Sequence, residues 1–143
     1  MNDALDEILR VLEPEEVVEG RFVGQSTDLG WGRLFGGHVL AQALSSASRT
    51  VPEQWLGHSM HAYCLRPGAV DARILSEVDR IRDGSSFTTR RVVARQRGEV
   101  ILNLSGSFHR EEQGFEHQLP MPDVPGPDEL RSELDLRRDV ADK

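Results

Sequence analysis

A single cysteine, Cys64, stands in a chain of 143 residues that also has one tyrosine and two tryptophans. One thiol excludes an internal disulfide and any multi-cysteine metal centre. Lying between Tyr63 and Leu65 in an apolar run, it reads as a small buried hydrophobe, not a nucleophile. Long hydrophobic runs are lacking as well, and the opening MNDALDEILR has neither the basic start nor the apolar core of a signal peptide. A cytoplasmic location without membrane association is therefore expected. Positive charge is in deficit: the net charge of -7 disfavours nucleic acid as a partner. Also missing are the Gly-x-Ser-x-Gly elbow, the His-Glu-x-x-His zinc helix, the Gly-x-x-x-x-Gly-Lys phosphate loop and a dinucleotide fingerprint after a strand. No metal and no cofactor is implied.

What is present suits one domain with a tail. The stretch Leu34 to Val51 (LFGGHVLAQALSSASRTV) reads as a central helix, with Leu40, Ala43, Leu44, Ala47 and Val51 on one face and His38, Gln42, Ser45 and Arg49 on a second stripe. Its remaining positions are small, as a helix enclosed by a sheet requires. Gly36 and Gly37 stand where the first unpaired N–H groups emerge, so a ligand oxygen can approach the positive end of the helix dipole. A plain flexible turn is the competing reading of such a glycine pair.

Around that helix, Ala4 to Leu12 is amphipathic and ends at Pro14. Glu15 to Gln25 reads as a first strand, and a linker carrying Gly30 and Gly32 around Trp31 is either a lid over a pocket or a plug against the core. Gln54 to Leu65, Ala72 to Arg82, Ser86 to Gln96 and Glu99 to His109 then read as strands, turned at Asp83-Gly84 and Arg97-Gly98. In the third of these, Thr88, Arg90, Val92 and Ala94 alternate with Phe87, Thr89, Arg91 and Val93. The expected fold is α+β, a curled antiparallel sheet wrapped around one central helix over residues 1–110. Residues 111–143 read as a proline-rich linker and charged tail. One sheet on one helix leaves an edge uncovered, so pairing with a second such domain is expected.

With no nucleophile motif, the candidates for chemistry are histidines, helix-mouth amides and one amide side chain. His58, beside Ser59, is suited to orienting or activating a water; a hydrogen-bonded structural role is the alternative. On a regular strand, His58 and His61 leave opposite faces. His38 lines the helix mouth, and Gln42, one turn further in, is placed to hold a water or a carbonyl. Arg80, Arg82, Arg90, Arg91, Arg95 and Arg97 bracket two turns, forming either a rim for phosphates or a solvated face paired with carboxylates.

The runs GQSTDLGWGRLFGGHVLAQAL, HSMHAYCLRPG, DRIRDGSSFTTRRVVARQRGEVI and SFHREEQGFEHQLPMPDVPGP, in this order and spacing, resemble the N-terminal half of acyl-CoA thioesterase II, a double-hotdog enzyme. The resemblance spans about Leu5 to Leu130. It implies a hotdog fold, hydrolysis of fatty acyl-CoA to free fatty acid and CoA by water attack on the thioester, and pairing with another hotdog repeat, from a second copy of the chain in a homo-oligomer or from a separate C-terminal half. The family's water-positioning Asp, Ser or Thr, and Gln belong mainly to the C-terminal repeat, beyond this sequence. Their absence leaves a non-catalytic acyl-CoA-binding or assembly module as the alternative. The catalytic candidates are His58 and Gly37, to which the resemblance adds weight, and Gln42, taken from the residue pattern alone. Phe35, Gly36, Gly37, His38 and Ser59 are expected to face the pantetheine or thioester, and Ser86, Phe87 and Arg90 to approach the CoA phosphates.

Overall fold

The computed structural model describes residues 3–141. After helix α1 (Asp3–Val11) the expected first strand is two, β1 (Glu15–Val18) and β2 (Arg21–Gly24). Glu19 and Gly20 fold them into a hairpin, with Gly20 at φ +73°, a backbone region open to glycine. Helix α2 (Gly36–Ser48) follows, then β3 (Trp55–Cys64), β4 (Ile74–Asp83), β5 (Phe87–Gln96) and β6 (Glu99–Arg110). All neighbours are antiparallel, in the order β1-β2-β4-β5-β6-β3. The sheet wraps α2, which packs against β2 through β6.

The core lies between α2 and the inner face of the sheet. Phe22, Ile74, Val92, Ala94, Leu102, Leu104 and Phe108 meet Val39, Ala43 and Ala47 there. Burying each of the larger of these side chains contributes about 1.5–3 kcal/mol, so this layer dominates the fold. The buried face of α2 differs from the one its apolar spacing suggests, because Gln42 and Ser46 are buried with Val39, Ala43 and Ala47 while Leu40 and Leu44 are only partly covered. Ser46 satisfies its hydroxyl by donating to the Gln42 carbonyl at 2.8 Å. Small and internally bonded side chains thus let the helix approach the sheet closely.

Arg97 and Gly98, at φ +50° and +84°, form a two-residue turn between β5 and β6 whose twist suits the strands. Asp83-Gly84, the stronger hairpin signal in sequence, is instead part of a longer connection in which the Gly84 amide donates to the Phe87 carbonyl. Strand β3 is one of the sheet's two edges, opposite β1, and is exposed almost throughout. Cys64 is consequently exposed, correcting the expectation of a buried thiol.

From Gln113 onward the chain forms a separate compact unit. It holds a single 3-10 turn (Pro127–Glu129) and helix α3 (Glu133–Ala141), with no buried residue in either. Ser132 caps α3 by accepting from the Asp135 amide at 3.2 Å.

Candidate functional site

The candidate residues fall into two groups on opposite sides of the sheet. Phe35, Gly36, Gly37, His38 and Gln42 belong to the mouth of α2, inside the wrap. No side chain caps this helix, its first turn has no acidic residue, and the His38 amide bonds back to the Phe35 carbonyl at 3.0 Å. The Gly36 and Gly37 amides are left without a protein acceptor among the described residues. They carry the partial positive charge of the helix end.

His38 is held by one main-chain acceptor. Its Nε2 lies 2.8 Å from the Gln25 carbonyl oxygen, which has no proton to give, so Nε2 carries the proton and donates. Gln42 donates its two amide protons to the same Gln25 carbonyl and to the Val11 carbonyl, both at 2.8 Å, with the His38 ring at 2.9 Å beside them. Gln42 is 1% exposed, and its Oε1 is buried without a partner. A Cβ built on Gly24 would come within 2.0 Å of that oxygen, so glycine is required there for close approach. The Gln42 amide nitrogen ties α1 and the end of β2 to α2 beside the His38 ring, and its oxygen is left without a protein partner.

Phe35 stands between two cavities at this mouth. One, of about 530 Å³, is lined by Trp31, Arg33, Phe35, Gly36, Cys64 and Arg66 among others. The second, of about 450 Å³, lies under α1, lined by Ile8, Val11, Leu12, Leu29, Phe35 and Ala41, with Gly37 and His38 at the helix start and Glu7 and Thr27 its other polar members. Trp31 is 62% exposed and meets Phe35 edge to face at 6.0 Å, so it covers the first cavity and does not plug the core. Gly30 and Gly32, at φ +87° and +66°, shape that loop.

His58, Ser59 and Phe87 lie on the outer face. The pairing of β3 with β6 shifts between Gly57 and Ser59, and this bulge makes His58 an extra residue. Gly57 stays opposite the core residue Phe108, whereas Ser59 and His61 oppose Ser107 and Ser105. His58 and His61 therefore share the outer face, contrary to the regular-strand expectation. His58 Nε2 is 2.8 Å from Ser107 Oγ, and its ring packs edge-on against His109 at 4.8 Å and Phe87 at 5.6 Å. Ser86 is exposed in the connection before Phe87.

Arg90 belongs to neither group. It is 1% exposed, and its guanidinium donates to Thr50 Oγ1, the Thr50, Arg82 and Thr89 carbonyls and Asp83 Oδ1, so it is corrected from a phosphate contact to a tie between the end of α2 and the β4–β5 hairpin. Five of the six clustered arginines pair internally: Arg80 with Glu19, Arg90 with Asp83, Arg91 with Asp79, Arg95 with Glu77 and Arg97 with Asp71. This is the paired face, not the phosphate rim. The cation that sequence reading passed over is Arg33, exposed beside the helix mouth and without an ion-pair partner among the described residues. Its place just ahead of Phe-Gly-Gly was the available signal.

A curled antiparallel sheet around one helix, with a glycine mouth opening on cavities, defines a hotdog domain. A solved protein of unknown function with a hot dog fold from Alicyclobacillus acidocaldarius, 24% identical, superposes with a TM-score of 0.70 over 87% of this chain and 48% of its own. The model of the acyl-CoA thioesterase N-terminal domain family matches residues 27–109, and the chain belongs to that family. Acyl-CoA thioesterase 2 of Haemophilus influenzae is 39% identical over 141 residues, 99% of this chain and 49% of its own length. The solved tesB protein of Mycobacterium avium subs paratuberculosis is also 39% identical, with a TM-score of 0.79 over 87% of this chain and 49% of that one. The chain thus spans about half the length of these relatives.

Proposed function

We propose that the chain is one repeat of an acyl-CoA thioester hydrolase, acting on fatty acyl-CoA with the thioester at the mouth of α2. The observation that carries this reading is the pair of bare amides, Gly36 and Gly37, where two cavities meet. In hydrolysis a water oxygen attacks the thioester carbonyl carbon, negative charge collects on the carbonyl oxygen, and the C–S bond breaks to give fatty acid and CoA thiol. Amides already aimed at that oxygen stabilise it without reorganising; removing one such donor typically costs about 2.7–4 kcal/mol. In this scheme the Gly37 amide is the donor, Phe35 and Gly36 frame the thioester, and His38 offers Nδ1 as a hydrogen-bond acceptor because Nε2 is already committed.

The water-activating groups come from a second hotdog repeat. The exposed edge of β3 supports that partnership, since a ten-residue strand with open N–H and C=O groups is a template for pairing, and the half-length match to relatives supports it independently. No helix among the described residues is long and apolar enough to cross a membrane; a cytoplasmic place for the reaction is part of the proposal. His58 with Ser59 and Ser107 is the alternative water-orienting site, on the outer face.

Thioester hydrolysis measured with medium- and long-chain acyl-CoA, for this chain alone and mixed with a separately produced C-terminal repeat of a relative, tests the reading. Turnover in either case supports it. No turnover in both, with acyl-CoA still bound, selects the non-catalytic binding module.

A further inference from the structure

The two cavities at the helix mouth differ in chemistry, and Phe35 is their common wall. On one side are the guanidinium groups of Arg33 and Arg66. Arg66 is partly held by the Val100 carbonyl at 2.9 Å and by Glu99 at 3.4 Å, while Arg33 has no ion-pair partner among the described residues. No carboxylate lines that side. On the other side the walls are mostly aliphatic, given by Ile8, Val11 and Leu12 of the α1 segment and by Leu29 and Ala41, with Glu7 and Thr27 as polar members and His38 near the wall the cavities share. A ligand that fits both halves has an anionic polar arm and an apolar tail joined by a short polar link.

We propose that Phe35 divides such a ligand: the acyl chain of a CoA thioester lies in the cavity under α1, the pantetheine arm lies on the Arg33 side, and α1 sets how long a chain is accepted. This deepens the thioesterase reading and rests on it for the identity of the ligand. The volume of about 450 Å³ under α1 is of the size that encloses a small organic ligand. Its far wall is a single helix whose attachment is light. Leu5, Ile8 and Leu9 are about half exposed, and the Val11 carbonyl is held by Gln42. The wall that measures the chain is therefore held by few buried side chains. Gly37 serves the same partition. A Cβ there would stand 2.4 Å from the Phe35 ring, so the ring keeps its position because residue 37 lacks a side chain.

The test uses the whole chain and two non-hydrolysable thioethers, S-dodecyl-CoA and S-ethyl-CoA, titrated by calorimetry. Ala41→Phe fills the cavity from α2, and Ile8→Trp fills it from α1 at a position 56% exposed, where a larger side chain is tolerated by the fold. Each is expected to weaken S-dodecyl-CoA about ten-fold and to leave S-ethyl-CoA within about two-fold, since losing a few methylene contacts is worth at least that much. Equal effects on the two ligands, or none on either, overturn the proposal, as does failure of the unmodified chain to favour the dodecyl ligand. Circular dichroism melting identifies a variant that has failed to fold, and the other variant then carries the test. Chain-length-dependent binding without turnover keeps this inference and removes the hydrolytic reading. Turnover with chain-length-independent binding does the reverse.

Discussion

The mouth of α2 and the outer face near His58 each present an imidazole, a hydroxyl or amide partner and an aromatic ring, yet they are built in opposite ways. At the mouth, His38 is bound through Nε2 to a main-chain carbonyl that a buried glutamine also holds, and open space remains beside it. On the outer face, His58 meets a serine hydroxyl and is flanked by Phe87 and His109, in a shallow polar surface beside a hollow of about 300 Å³ lined by Ser59, His61, Ser105 and Ser107. The lesson is that polar residues make a binding site only where walls exclude water, because electrostatic contacts gain strength with desolvation. Four substitutions, with Asp83→Asn as a control on the first, rank the two regions by effect.

The largest change is expected from Arg90→Ala, which touches neither region but ties the end of the helix that carries the mouth. It strips bonds from the Thr50, Arg82 and Thr89 carbonyls and removes a fully buried side chain. A loss of about 3 kcal/mol is expected, seen as a fall in Tm of about 10 °C by calorimetry. The salt bridge itself contributes little of this, since the Asp83 side chain is 61% exposed. Asp83→Asn should accordingly move Tm far less.

Next comes Gly24→Ala, which attacks the brace of the mouth. The added methyl would stand 2.0 Å from Gln42 Oε1, so the amide must leave the Val11 and Gln25 carbonyls. Overpacking of this kind costs about 1–3 kcal/mol, and the Gln25 carbonyl that holds His38 loses its second donor with it. Both a lower urea midpoint and a weaker affinity for S-dodecyl-CoA are expected; an unchanged affinity at reduced stability would detach Gln42 from the site.

Gly37→Ala acts on the site with little effect on the fold. Alanine improves helix propensity by up to about 1 kcal/mol, which offsets the displacement of a ring that is already half exposed. Affinity for the dodecyl ligand is expected to fall about ten-fold, a difference of about 1.4 kcal/mol, with Tm shifted by no more than a few degrees.

Much of this architecture is legible in the amino-acid sequence. Glycine and arginine at 97–98 end one strand and begin the next, and the alternation through residues 87–96 puts Thr88, Arg90, Val92 and Ala94 in one row, which is the buried row. Arg90 was thus readable as buried from its period, and its charge is what suggested the surface. Other features depend on contacts that no local pattern encodes. The buried face of α2 includes Gln42 and Ser46 because each finds an internal hydrogen bond, whereas apolar spacing counts only hydrocarbon. The bulge at Gly57 to Ser59 is set by pairing with β6, and it moved His58 to the face of His61. The partition at Phe35 follows from the path of the Trp31 loop and from α1, two segments that the β1–β2 hairpin separates in the chain and that meet at the start of α2.

The smallest effect is expected on the outer face, and it decides between the regions. His58→Gln keeps a donor toward Ser107 and a similar reach, and His58 is exposed, so stability should stay within about 0.5 kcal/mol. The sheet separates it from the amides of Gly36 and Gly37: Ser107, its partner, alternates along β6 with Gly106 and Phe108, which face α2. A thioester seated at the helix mouth does not touch this imidazole. In a preparation that turns over acyl-CoA, kcat/KM should therefore stay within about three-fold for His58→Gln, against about ten-fold or more for Gly37→Ala, differences of about 0.6 and 1.4 kcal/mol. The reversed order, with His58→Gln the more damaging at an unchanged Tm, would place water activation on the outer face and reduce the α2 mouth to a binding site.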